Sequence, residues 1–150
     1  SFELLLERET GVYEPLFVLE SFRVITEKRA DGRVETEATV KLFHGGERLI
    51  ATAEGNGPVN ALDAALRSAL EARVPELRDI RLVNFKVRIL DETKGTAAVT
   101  RVLIDSADGH ETWGAIGVSE NVIEASWEAL LDSLEHGVRR ISRARAAAAG

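Results

Sequence analysis

Between Val34 and Leu42 inward and outward positions alternate without a break. Val34, Thr36, Ala38, Val40 and Leu42 fall on one face, and Glu35, Glu37, Thr39 and Lys41 on the other. A period of two predicts a strand with one dry and one wet face. Upstream, Leu16–Thr26 is rich in β-formers, with Phe22, Val24 and Thr26 opposed to Arg23 and Ile25. Asp31-Gly32 is the hairpin signal between these two strands. His44-Gly45-Gly46 turns the chain into a third strand, Arg48–Ala53. The period then changes: Val59, Leu62, Leu66, Ala69 and Leu70 recur at three- and four-residue spacing, which predicts an amphipathic helix that Pro75 ends. Phe2–Arg8 is a short apolar lead-in of no assigned type.

The same order then returns. Ile80–Leu90 reads as a strand, with Val83, Phe85, Val87 and Ile89 against Asn84, Lys86 and Arg88. Lys94-Gly95 turns, Ala97–Asp105 is a strand, Asp108-Gly109 is a second hairpin signal, and His110–Val118 is a third strand. A helix follows from Ser119–Asn121, with Ile123, Trp127, Leu130, Leu134, Val138 and Ile141 on one stripe. The residues echo the order. Asn60-Ala61-Leu62-Asp63-Ala64 and Asn121-Val122-Ile123-Glu124-Ala125 share the form N-x-x-[D/E]-A, 61 positions apart; Phe22-Arg23-Val24 and Phe85-Lys86-Val87 lie 63 apart. This is an internal duplication. The expected fold class is α+β: duplicated βββα units, about 14–75 and 79–142, related by a pseudo-twofold, with antiparallel sheets covered by helices. One domain, 1–142, results, and the low-complexity tail 143–150 is expected to be disordered. Strands patterned on both faces point to a second layer, such as a partner chain.

Composition narrows the function classes. The chain has 150 residues and a net charge of −6, which argues against a nucleic-acid partner, since that needs a basic face. No apolar run approaches a membrane span, and no signal peptide is visible. The absence of Cys removes disulfides, thiolate catalysis and Cys-based zinc sites, and fits a cytoplasmic setting. The absence of Met, with Ser1-Phe2 first, leads us to expect a piece of a longer protein, with a processed chain as the alternative.

Catalytic chemistry leaves no signature. His44, His110 and His136 are far apart and fit no metal-ligand spacing, so packing or solvated histidines are favoured and no metal site is assigned. There is no G-x-S-x-G, no phosphate-binding G-x-x-x-x-G-K-[S/T], and Gly55-Asn56-Gly57-Pro58-Val59-Asn60 lacks the third glycine of a dinucleotide loop. Asp63 and Glu124 stand three residues after an Asn, the spacing of a capping box. Trp127 lies on the core stripe, while Trp113 is open to either a packing or a ligand-wall role.

What remains is a pair of helix mouths. A helix N-terminus offers unpaired N–H groups and a partial positive charge, which suit a carboxylate. In the first mouth Gly55 and Gly57 leave the backbone bare and Pro58 suits the first turn. The second, Gly117-Val118-Ser119-Glu120-Asn121, has the same form but places Glu120 where it opposes an anion. On the residues alone, two well-capped helices with no ligand remain the favoured reading.

The βββα-βββα order together with "GNGPVNALDAAL", "NFKVRILD", "GTAAVTRVLI" and "WGAIGVSENVIEASWEALLDSLE" resembles the C-terminal regulatory domain of the 2-isopropylmalate synthase, citramalate synthase and homocitrate synthase-like family, over about residues 2–140. The form "WGAIGVSENVIEASWEAL" is most similar to the citramalate-synthase branch; homocitrate-type enzymes often lack such a domain. The resemblance implies a non-catalytic, dimerising feedback sensor with no catalytic residues and no cofactor of its own. It also implies a parent acetyl-CoA-dependent acyltransferase, whose metal-dependent catalytic barrel would precede this chain. The implied partners are a second copy, that barrel, and an end-product amino acid, isoleucine or leucine, with neither nucleic acid nor membrane. The implied effector contacts are Gly55, Asn56, Gly57, Pro58, Asn60 and Ala61, with Gly117, Ser119 and Asn121 as a second half. No residue separates leucine from isoleucine. A pure dimerisation module without effector is the alternative, and a free-standing enzyme finds no support in the motifs.

Overall fold

The computed structural model describes residues 15–90 and 98–149. The lead-in Phe2–Arg8, the Lys94-Gly95 turn and the expected strand start at Ala97 lie outside or at the border of them. The chain runs β1 (Val18–Lys28), β2 (Val34–His44), β3 (Glu47–Gly55), α1 (Pro58–Leu70), a 3-10 turn (Pro75–Asp79), β4 (Arg81–Leu90), β5 (Val99–Ala107), β6 (Thr112–Ser119) and α2 (Val122–Ala149). The fold is α+β, with βββα traced twice and two separate three-stranded antiparallel sheets, β1-β2-β3 and β4-β5-β6.

The alternation in β2 sets the first sheet. Thr36, Ala38, Val40 and Leu42 are buried, and α1 packs over them and over β3 through Leu62 and Leu66. Val34, which shares their phase, is 61% exposed because it pairs with Lys28 beside the hairpin, at the end of the sheet. In the second sheet Thr100, Val102 and Ile104 of β5 and Ala115 of β6 lie under α2. The duplication extends to backbone irregularities. Register slips between Leu19 and Ser21 in β1 and between Leu82 and Asn84 in β4, positions 63 apart in the chain. Val40 and Leu42, Val102 and Ile104, Leu62 and Leu66, and Leu130 and Leu134 belong to one core, so both repeats are stabilised by the same buried apolar surface.

Two element ends differ from the sequence reading. The first helix stops at Leu70 rather than at Pro75; the Arg73 and Val74 amides bond the Leu70 carbonyl, and Pro75 opens the 3-10 turn. The residue before a proline avoids helical dihedrals, and Val74 sits at φ −125°, ψ 78°. The tail expected to be disordered is instead helical to Ala149. Ala and Arg are strong helix formers, and Arg145 pairs with Asp79 at 2.8 Å while Ser142 Oγ donates to Glu76 at 3.0 Å. Among the described residues no helix is long and apolar enough to cross a membrane.

Candidate functional site

The first mouth forms where β3 ends and α1 begins. Gly57 is the N-cap, at φ 96° and ψ 171°, and Pro58 occupies the first helical position. No side chain caps this helix. The Ala61 amide closes the first intrahelical bond on the Gly57 carbonyl at 3.0 Å. Pro58 has no N–H, so the Val59 and Asn60 amides of the first turn are left without a side-chain acceptor. Asn60 lies inside the turn, and its Nδ2 donates to the Asn56 carbonyl at 3.1 Å rather than capping. The first turn holds no acidic residue, so nothing in it opposes a bound anion.

The second mouth is closed by its own side chains. Asn121 precedes the first helical residue, and its Oδ1 accepts the Ile123 amide at 2.8 Å and the Glu124 amide at 3.2 Å. Ser119 Oγ accepts the Asn121 amide and donates to Glu124 Oε2, both at 3.2 Å. Glu124 thus reaches Ser119 instead of completing a reciprocal capping box. Among the described residues no hydrogen bond or ion pair joins the two mouths.

The glycines divide by role. A Cβ on Gly55 would run into the Ala61 nitrogen and lie 2.6 Å from the Asn60 carbonyl carbon. A Cβ on Gly117 would run into the Ala125 carbonyl oxygen and lie 2.8 Å from the Ala129 nitrogen. At both, the close approach of strand to helix requires glycine. Gly57 differs: the space around its missing Cβ is open, and its positive φ is what requires glycine. Of the residues singled out by sequence, Gly57, Pro58 and Asn60 frame the open mouth, Asn56 is exposed beside it, and Gly55 and Ala61 pack beneath it. Gly117 packs in the second repeat, where Ser119 and Asn121 act as caps.

Other candidates resolve into structure. Asp63 neither caps the helix nor faces the mouth; both its carboxylate oxygens accept from Arg67 Nε at 3.0 Å, and Arg67 also donates to the Leu77 carbonyl at 2.6 Å. Burial pushes the Asp63 carboxyl above its usual range, against the pull of the Arg67 guanidinium. His44 Nδ1 bonds the Leu16 carbonyl at 2.8 Å, and the His136 ring lies 5.4 Å from that of Trp113. Trp113 donates Nε1–H to the Ser133 carbonyl at 3.0 Å and fills the space over Gly137, so it is a packing residue. Trp127 stacks on Phe22 at 4.8 Å.

Sequence reasoning missed features that depend on what faces what. A cleft of about 390 Å³ opens between α2 and the second hairpin, lined by Asp79, Asp108, His110, Arg140 and Arg145. Its arginines are committed, Arg140 to Asp108 at 2.9 Å and Arg145 to Asp79. The amides of Glu111 and His110, with Arg140, hold the Asp108 carboxyl down to about 2. On the outer face of the first sheet Glu27 stands opposite Glu35 and Glu37 opposite Glu54. Cross-strand register, which composition does not reveal, creates both arrangements.

Residues 1–138 match the family model described as the LeuA allosteric (dimerisation) domain. An (R)-citramalate synthase of Streptomyces coelicolor is 56% identical over 141 residues, 93% of this chain and 26% of that protein. The Geobacter sulfurreducens (R)-citramalate synthase is 49% identical over 141 residues, 93% of this chain and 27% of that protein. A 2-isopropylmalate synthase of Aquifex aeolicus is 33% identical over 128 residues, 85% of this chain and 22% of that protein. The chain spans about a quarter of the length of the relatives it matches.

Proposed function

Because this chain belongs to the LeuA allosteric (dimerisation) domain family, we propose that it is the feedback-sensing, dimerising and non-catalytic part of a citramalate-synthase-like acyltransferase, and that isoleucine or leucine is its inhibitor. The parent's catalytic barrel is then its covalent neighbour and the cytoplasm its setting. The observation that carries the effector reading is the open first turn of α1: an N-cap glycine with positive φ, no side-chain cap and no acidic residue. A free amino acid presents a carboxylate, an ammonium and an apolar side chain. The carboxylate takes the free first-turn amides, loop carbonyls accept from the ammonium, and a dry surface receives the side chain. Asp63 is not the ammonium acceptor, since Arg67 holds it. Inhibition follows if the effector binds one arrangement of the dimer more tightly than another, because a ligand shifts an equilibrium only by its differential affinity.

Titration calorimetry with isoleucine, leucine and valine, paired with thermal melts, tests this. One of the first two should release or absorb heat and raise the melting temperature. Gly57→Asp puts a carboxylate at the mouth and should weaken that binding by about tenfold or more while the dimer survives. Silence with all three amino acids leaves a dimerisation module without an effector. Unchanged binding by the Gly57→Asp protein moves the site away from this mouth.

A further inference from the structure

In β4, Phe85, Val87 and Ile89 pair directly with Ile104, Val102 and Thr100 of β5, so they continue the core face of the second sheet. Val102 and Ile104 are fully buried, yet Phe85 is 38%, Val87 47% and Ile89 63% exposed. The cause is the path of α2, which packs along β6 and β5 and leaves β4, an edge strand, uncovered. The opposite face of β4 carries Lys86 and Arg88 in water. The strand therefore has one wet face, one open apolar face and one unpaired edge.

The first repeat solves the same problem from outside itself. The counterparts of Phe85 and Val87 are Phe22 and Val24, both half-buried, and Phe22 is stacked on Trp127, a side chain of the other repeat's helix. The position of α1 that corresponds to Trp127 is Leu66, which is fully buried in the shared core. Among the described residues the aromatic cross-repeat cover falls on β1.

We propose that the apolar face of β4, centred on Phe85, Val87 and Ile89, is the surface on which a second copy of this chain packs, isologously, so that the face of each copy covers that of the other. The occupant follows from the duplication: what covers the equivalent strip of β1 is made of this chain's own sequence, and a two-fold pairing closes without leaving a further sticky face. Lys86 and Arg88 point away from the strip, so the pairing brings no like charges together and desolvates no cation. From Phe85 to Ile89 the strip runs about 13 Å along the strand, and Leu82, opposite buried Ser106, extends the same face beyond the register slip. The proposal rests on the dimerising reading above and adds its location.

Sedimentation velocity of this chain from micromolar to hundreds of micromolar, with Val87→Lys and Ile50→Lys beside it, is the test. Ile50 is a matched control, 53% exposed on the outer face of the first sheet. The parent and the Ile50→Lys protein should dimerise alike, and Val87→Lys should weaken the dimer by about tenfold or more at an unchanged melting profile of the monomer. Amide exchange across 82–90 should slow as protein concentration rises. A Val87→Lys protein that dimerises like the parent overturns this surface and leaves the dimerising reading standing. A parent that stays monomeric throughout overturns both. Protection of 82–90 that is strong and independent of concentration means an internal cover and overturns the surface as well.

Discussion

The first turn of α1 starts beneath Gly57 with no side-chain cap, whereas the first turn of α2 starts beneath Asn121, whose side chain accepts two of its amides. The two mouths come from one sequence form, N-x-x-[D/E]-A, but the helix begins at a different point in it. Asn60 is the third helical residue of α1, while Asn121 immediately precedes the first of α2. Pro58 accounts for the shift. Its fixed φ suits the first helical position, so the helix starts there, and Gly57 takes the unusual cap dihedrals. The result is one mouth capped by its own side chain and one without a side-chain cap. The edge strands diverge in the opposite sense: β1, in the repeat with the uncapped mouth, is covered by Trp127, and β4, in the repeat with the capped mouth, is exposed. Duplication here produced a matched backbone with unequal surfaces, and each repeat keeps one feature satisfied within the chain and one open.

Removing the cover on β1 is the strongest way to erase that difference. Trp127 is 8% exposed and contacts both Phe17 and Phe22. Trp127→Ala should cost about 4 kcal/mol in urea unfolding, as other large aromatic truncations in cores do. Its particular signature is in amide exchange: β1 should become as unprotected as β4 in the monomer. A loss of stability with β1 still protected would mean that the cross-repeat contact is not what shields that strand.

The glycines provide the next contrast. Gly117→Ala and Gly55→Ala each force a methyl into helix backbone and should cost about 3 kcal/mol. Gly57→Ala meets open space and should cost about 2 kcal/mol, through backbone dihedrals that are essentially restricted to glycine. Urea midpoints at constant slope measure all three. Equal costs would remove the distinction between glycines that pack and the glycine that leaves the mouth open.

The sheets, the helix stripes and the duplication were legible because period-two and period-3.6 patterns survive wherever one face is buried. The helix mouths were legible only as positions. A glycine bare for a ligand and a glycine bare for a strand–helix approach look identical in one dimension, and at Gly55 and Gly117 the strand–helix approach by itself requires glycine. Asp63 read as a capping residue from its distance to Asn60, but Arg67 four residues on was an equally local partner, and the shifted helix start decided between them. The tail's Ala and Arg residues combine low complexity with high helix propensity; contact with Asp79 and Glu76 favours helix, and both partners lie 66 positions away in sequence. Exposure of Phe85, Val87 and Ile89 had no signal at all, because their pattern is that of a buried strand face.

The hairpins differ as the mouths do, with a smaller effect. Asp31 pairs with Arg33 in the first, its side chain 53% exposed; Asp108 in the second is 5% exposed and accepts the His110 and Glu111 amides and Arg140. The Asp108 carboxyl is held at about 2, below its ordinary value of 3.8. A carboxylate depressed in the folded state stabilises it above the unfolded pKa and loses that contribution as pH falls through the folded one. Stability should therefore drop between about pH 4 and pH 2. Asp108→Asn should cost about 1.5 kcal/mol at neutral pH and flatten that acid limb, while Asp31→Asn should change stability by less than about 0.5 kcal/mol. Matched acid limbs in the two variants would place the sensitivity elsewhere.

The smallest effect bears most directly on function. Asn121→Ala removes the acceptor of two first-turn amides and should cost about 1 kcal/mol. Asn60→Ala removes one exposed side-chain bond to the Asn56 carbonyl and should cost about 0.3 kcal/mol. The two residues occupy the same place in the repeated motif, so their difference isolates what a cap contributes in one mouth and not the other. Calorimetry adds a second readout. If α1 is open, Asn60→Ala leaves its first-turn amides as they were, and effector affinity should change little. Should Asn60→Ala instead cost as much as Asn121→Ala, the side chain of Asn60 must cap α1 in solution. The mouth would then be closed in both repeats, and the amides offered to an effector carboxylate would already be satisfied.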